Sequence, residues 1–206
     1  MKSEKPVVLP QRGPALHERR EQIICAALDH FRHYGYSKTS VADLAKAIGV
    51  SSAYVYKFFE SKQAIGEAVC SHSLGQIDDA LRDIAASNQS AAARLRELFS
   101  SLLTKSLALF FEERKLHDIA AVAVSNHWDS AKNHRVALYG ILKQVIIDGR
   151  DSGEFESETP LEEVCMAIAS VMTPFSHPLM LEEKTPEQLK ERVIVITNLV
   201  LRSLTK

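Results

Sequence analysis

Residues 39–62, TSVADLAKAIGVSSAYVYKFFESK, place two short helical patterns on either side of one glycine. Thr39 or Ser40 can cap the first pattern, and Asp43 stands near its positive end. Val41, Leu44, Ala45 and Ile48 give it one apolar face. Gly49 permits a tight turn at positive φ, Val50 can plug the gap between the two helices, and Ser51 can cap a second helix over about 52–58. Val55 with Phe58 or Phe59 holds that helix down, leaving Ser52, Ala53, Tyr54, Tyr56 and Lys57 for contact. This is a helix-turn-helix pattern, in which the first helix braces the second and the second is offered to a groove. The residue mix suits DNA: small side chains allow close approach, Tyr hydroxyls reach phosphates and Lys57 supplies charge. Taken alone, Tyr56 on a short helix fits core packing better, Tyr54 fits base contact or packing equally, and Phe59 reads as core.

The rest of the chain also reads as helix. Only 8 Gly and 7 Pro punctuate 206 residues, and the prolines gather near the start and between 160 and 186. A first helix over about 16–34 carries Ile23, Ile24, Ala27, Leu28 and Phe31 at three-to-four spacing and stops at Gly35. A fourth, capped by Ser61, runs toward Ala86. Further helices are expected over about 91–111, 114–127, 129–151, 160–175 and 186–204, with breaks at DSGEFESETP and SHPLMLEEKTP. The expected fold is all-α: an arm over 1–15, a helix-turn-helix head over 16–62 and a larger helical body over 63–206. Apolar residues make up 46% of the chain, enough to fill such cores.

Charge divides the same way. The net formal charge is −1, but residues 1–62 hold 10 Lys/Arg against 6 Asp/Glu, and the excess of acid lies in the body. A basic head on a mildly acidic body points to a polyanionic partner for the head. Arg12 on the arm is a candidate for a minor groove, while Arg19 and Arg20 read as a solvated helix face. The opening MKSEKPVVLPQRGP has no long apolar run and reads as an arm, not a signal peptide. No apolar stretch is long enough to span a membrane, and Cys25, Cys70 and Cys165, sparse and without a CxxC, fit a reducing cytoplasm and read as small buried hydrophobes.

Catalytic and metal signatures are missing: GxSxG, HExxH, P-loop and dinucleotide glycine patterns are absent. His127 and His134 are seven apart and share a face only on an unbroken helix, too far for two ligands without others between. His117-Asp118 lacks the partners of a hydrolase site. No cofactor and no metal are therefore expected. Trp128, the only Trp, lies midway in the body. With Phe99, Leu103, Phe110, Phe111, His117, Val124 and Tyr139 it can line an apolar pocket, or equally form bundle core.

The head resembles the TetR/AcrR family of transcriptional regulators. The family pattern, a helix with I..AA...F...GY and then TTV.DIA..AGVS.GTLY.HF.SK..L, is met by IICAALDHFRHYGY and TSVADLAKAIGVSSAYVYKFFESKQAI, without gaps over about residues 18–67. The resemblance implies a DNA-binding head followed by a helical ligand-binding and dimerisation domain. It implies phosphate contacts from Thr39, Tyr56 and Lys62, and base contacts from Ser52, Ala53 and Tyr54. Three positions depart from the pattern: Ala53, Tyr54 and Phe58 stand where the family has Gly, Thr and His. Phe58 removes one hydrogen-bonding group, and Tyr54 puts a large polar aromatic on the recognition helix.

The function so implied is a cytoplasmic regulator, foremost a repressor. It binds a palindromic double-stranded DNA operator as a homodimer and is released by an apolar or amphipathic inducer, with no membrane partner. A dimer made by the last two long helices is implied, and their apolar faces suit it: Val164, Ile168 and Val171 on one, Leu189, Val193, Ile196 and Val200 on the other. The fourth helix links head to body as the lever. Alternatives are an architectural DNA binder without site preference and, less favoured by the residues, a helical enzyme.

Overall fold

The computed structural model describes residues 13–109 and 114–205. They form ten α-helices and one 3-10 turn, and no strand is found among the described residues. α1 (Gly13–Tyr34), α2 (Val41–Ala47) and α3 (Ser52–Val55) make the head. α4 (Lys62–Ala85) leads into α5 (Ala91–Leu107), α6 (Arg114–Ser125), α7 (Asp129–Asp151) and α8 (Leu161–Met172). The 3-10 turn Thr173–Phe175, the short α9 (Pro178–Leu181) and α10 (Pro186–Leu204) complete the chain.

Local chemistry sets the head's boundaries. Ser40 and Asp43 form a capping box at α2: Asp43 N–H donates to Ser40 Oγ at 3.1 Å, and Ser40 N–H donates to Asp43 Oδ2 at 2.8 Å. At the other end Gly49 takes φ 68°, its N–H donates to Lys46 O, and Val50 N–H donates to Ala45 O at 2.9 Å. That pair is a Schellman motif, which needs the left-handed residue glycine supplies. Ser51 then caps α3 through Tyr54 N–H. The regular part of α3 is shorter than the expected 52–58. After Val55 the carbonyl of Val55 accepts from both Phe58 and Phe59, so the helix tightens into turns as Phe59 enters the core.

Two other expectations change. The helix expected over 114–127 stops at Ser125, through a second Schellman motif with His127 at φ 54° and Trp128 N–H donating to Ala123 O. A histidine in the left-handed region leaves no sequence punctuation, which is why the end was placed late. The segment expected over 160–175 divides into α8 and the 3-10 turn at Pro174, and SHPLMLEEKTP, expected as a plain break, holds α9.

Two apolar cores result. The first joins Ile23, Ala27, Phe31, Leu44, Val55 and Phe59 of the head with Ile65, Val69 and Cys70 of α4, and takes in Ile119, Ala123, Trp128 and Ala131 from the body. The second is the body bundle around Leu81, Leu95, Phe99, Leu102, Val145, Phe155, Phe175 and Leu189. α4, 24 residues and about 36 Å long, runs through both. Arg94 ties its end to the body: Nη1 donates to Ala85 O at 2.6 Å and to Asp148 Oδ2 at 2.7 Å. Glu154 accepts from Ala91 and Ala92 N–H at the start of α5, and these bonds hold its carboxyl below the ordinary range. At Gly149 any Cβ would meet the Phe155 ring at 2.2 Å, so glycine is required for that ring to close the α7 end.

Candidate nucleic-acid interface and ligand cavity

The head presents α3 on its surface. Ala53 and Lys57 are exposed, Tyr56 is 52% exposed, and Ser52 and Tyr54 are half-buried. Core packing is therefore excluded for the Tyr56 ring, while Val55 and Phe59 face inward. Tyr54 packs against Phe58 with ring centroids 5.3 Å apart, and Lys57 Nζ stands 5.8 Å over the Tyr54 ring. Two of the three departures from the family pattern thus touch each other: Phe58 braces the large ring of Tyr54 on the recognition helix.

Two expected phosphate contacts stand differently. Thr39 is 2% exposed, and its hydroxyl donates to Gly35 O at 2.8 Å with His30 Nδ1 at 3.3 Å. Its side chain is spent on the α1–α2 corner, which corrects the expectation of a phosphate contact there. The start of α2 is filled by the Asp43 carboxylate, whose hydrogen bonds with Ser40 hold its pKa down. The exposed cation beside that corner is Lys38, which sequence reasoning passed over because it lies outside the helical patterns. Lys62 is half-buried, with Nζ 3.4 Å from Ser37 O and 4.5 Å over the Tyr36 ring, and partial burial lowers its pKa. Arg20 lies 4.9 Å over the Phe59 ring and pairs with Glu21. Arg12 lies outside the described residues.

Where the two cores meet, a cavity of about 290 Å³ opens between α4, α6, α7, α8 and the α9 region. Val69, Ala123, Ala131, Leu138, Leu142 and Met172 are among the residues of its apolar wall. Polar groups on it are few: Ser73, His134, Arg135, Tyr139, Thr173, Ser176 and His177. Tyr139 is committed, since its hydroxyl donates to Glu162 at 2.6 Å and the bond pushes its pKa up to about 12. Cys70 also lines the cavity, and burial pushes its thiol up to about 12, so it stays a neutral hydrophobe. Cys165 is buried as expected, whereas Cys25 is exposed.

Of the expected pocket residues, Val124 and Tyr139 line this cavity. Phe99 and Leu103 are buried body core instead, with Phe99 edge-on to Phe175 at 6.3 Å. Phe110 and Phe111 lie outside the described residues, as does the side chain of His117. Trp128 is the largest correction. Its ring sits edge-on to Tyr36 at 5.7 Å and covers Gly66, where a Cβ would lie 2.8 Å from it. It is a wedge of the body in the head's core, not a pocket wall. Its buried Nε1 has no hydrogen-bond partner among the described residues. His127 is exposed at the break before α7, so it shares no helical face with His134. Among the described residues no group of three or more His, Cys, Asp or Glu is placed to hold a metal ion.

The expected dimer stripe is also corrected. Leu189, Val193 and Val200 are buried within the chain's own bundle, Ile196 packs against it, and Val164 and Ile168 are buried there too. The apolar residues left outside are Met166 and Val171 on α8 and Ile194, Val195 and Leu199 on α10. Only Val171 was among those expected.

The comparisons with known proteins agree with this architecture. Residues 23–69 match the family described as bacterial regulatory proteins, tetR family, and residues 91–196 match the tetracyclin repressor-like C-terminal domain. The HTH-type transcriptional regulator BetI of Cronobacter sakazakii is 29% identical over 156 residues, 72% of this chain and 71% of that protein. A TetR-family regulator from Pectobacterium atrosepticum superposes with TM-score 0.77 at 18% identity, over 95% of this chain and 98% of that one. FadR from Bacillus subtilis, solved with stearoyl-CoA, gives 0.62 at 19% identity over 90% and 97%. At these identities the structural likenesses speak for the fold, and the matches over 23–69 and 91–196 speak for the family. The chain belongs to the TetR family, and it is a DNA-binding helix-turn-helix transcriptional regulator.

Proposed function

We propose that the protein is a cytoplasmic repressor that binds a palindromic operator as a homodimer and is released by a small ligand in the cavity. The observation that carries this reading is the position of the cavity. Its wall includes Val69, Cys70, Ile119, Ala123 and Ala131 of the head's core and Leu142 and Met172 of the body's core. A ligand there bears on both cores, and α4 and Trp128 carry the displacement to Tyr36, Gly66 and the α3 mount.

Release requires the ligand to favour the DNA-incompetent state by roughly 1–3 kcal/mol. The seam has a matching weakness, since a buried indole N–H without an acceptor costs about 1–3 kcal/mol. A dimer is needed because one helix-turn-helix reads too few base pairs, whereas two related by a two-fold axis read a palindrome. Met166, Val171, Ile194, Val195 and Leu199 make the better interface, being apolar and uncovered. On the DNA, Ser52, Ala53 and Tyr54 face bases, and Tyr56, Lys57, Lys62 and Lys38 meet phosphates.

A footprint on the promoter of its own gene tests this reading. The expected result is a symmetric protected site. Tyr56→Phe and Lys62→Ala should each weaken binding by about tenfold, as for the loss of a hydrogen bond to a charged group. Lys62→Ala should also reduce the salt slope by about one. Protection without site preference would favour an architectural DNA binder.

A further inference from the structure

We infer that the cavity takes a small acidic amphipath, an organic acid with one carboxyl head on a compact apolar body, and that His134, held by Asp78, receives the head. This deepens the proposed function and rests on the cavity being its ligand site.

The side chain of His134 is about nine-tenths buried, and its Nδ1 lies 2.6 Å from Asp78 Oδ1. Asp78 projects from α4 and is itself buried. A carboxylate only accepts, so Nδ1 is the donor and the ring tautomer is fixed. Nε2 is then the free position, and it has no partner among the described residues. Such a histidine, backed by a buried carboxylate, is suited to an acid. An organic acid binds there as its carboxylate and accepts a hydrogen bond from Nε2 once the ring takes up a proton from solvent, with the Asp78 charge behind the imidazolium. The proton comes from water, and no other reactant is needed.

The rest of the wall agrees. Arg135 follows on the same helix and lines the cavity, His177 lines it too, and among the described residues no Asp or Glu lies on the wall. Among the described residues, aromatic groups, the usual partners of a quaternary ammonium, are represented there by Tyr139 alone. Apart from the hydroxyls of Ser73, Thr173 and Ser176 the remainder is apolar, so the ligand's body must be mainly apolar too. Size sets the limit. At about 290 Å³ the space equals roughly ten waters at ~30 Å³ each, which admits about ten to fifteen non-hydrogen atoms. A medium-chain or arylalkyl carboxylic acid fits.

Calorimetric titration of the full-length protein with octanoate, octanol and octyltrimethylammonium, which share one apolar body, tests the inference. Octanoate should bind about tenfold or more tightly than octanol, and the ammonium should bind least. In His134→Gln, and more mildly in Arg135→Gln, octanoate should fall to the level of octanol. Equal or tighter binding of octanol or the ammonium by the wild type overturns the inference, and that comparison needs no variant to fold. Operator release is read separately. Octanoate that binds without loosening the operator complex leaves the ligand class standing and removes the inducer role, while release by octanol alone does the reverse.

Discussion

In the head, two helices of seven and four residues are held by a capping box, a glycine Schellman turn and two further serine caps. In the body, helices of up to 24 residues enclose a cavity whose wall is drawn from residue 69 through residue 178. The head is specified by local chemistry in which each residue type has one reason to be where it is. The body is specified by long-range packing, where any apolar residue of fitting volume serves. Evolution of a regulator needs this division: the reading surface must keep its geometry while the cavity changes its guest.

The largest test of that comparison concerns the two cores. Phe31 in the head and Phe99 in the body are both fully buried. Phe31→Ala and Phe99→Ala should each cost about 3–5 kcal/mol. Because Val69, Cys70, Ala123 and Trp128 join head to body, scanning calorimetry should show one shifted transition in both variants. Two separate transitions, one per core, would break the picture of a shared seam.

The next test lies on α10, which has two apolar faces. Leu199→Glu puts a charge on the outer face, where Leu199 is 66% exposed. It should leave the helical signal intact and shift sedimentation from dimer to monomer. A dimer that persists would move the interface elsewhere. The same helix shows what could not be read in the sequence. Leu189, Val193, Ile196 and Val200 form a good stripe, and so do Ile194, Val195 and Leu199. Periodicity identifies an apolar face and does not say whether the chain itself or a second copy covers it.

Elsewhere legibility followed the same division. The helix order, the caps at Ser40, Ser51 and Ser61 and the turn at Gly49 were readable because each is a local rule. The burial of Thr39 was not, since the carbonyl that claims its hydroxyl is set by the α1–α2 corner. The sequence leaves Trp128 open between pocket wall and core, and its place in the head's core is not legible because its partners Tyr36 and Gly66 lie over sixty residues away. The His134–Asp78 pair, separated by 56 positions, left no signal at all.

A smaller effect distinguishes the body's long-range cap from the head's serine caps. Glu154 caps α5 from 63 residues away, and its carboxyl is held below the ordinary range by the Ala91 N–H bond foremost. A depressed carboxylate contributes stability that is full above its unfolded value, about 4.3, and is lost as pH falls through its folded value. Glu154→Gln should therefore lower stability by about 0.5–1 kcal/mol at pH 7, with solvent screening the charge. Below about pH 4 the difference from wild type should shrink, as chemical denaturation across pH will show. An unchanging difference would assign the effect to shape alone.

Filling the cavity should uncouple the head from DNA, and a variant that fills it without any ligand shows this. Ala120 lines the cavity on α6 and is only partly buried. Ala120→Phe puts a ring into that space and stands in for a bound ligand. Its affinity for the footprinted operator should fall by roughly 5- to 150-fold, the range of coupling free energies seen between sites, while circular dichroism and sedimentation still report a folded dimer. A folded dimeric Ala120→Phe that binds the operator as tightly as the wild type would contradict the account.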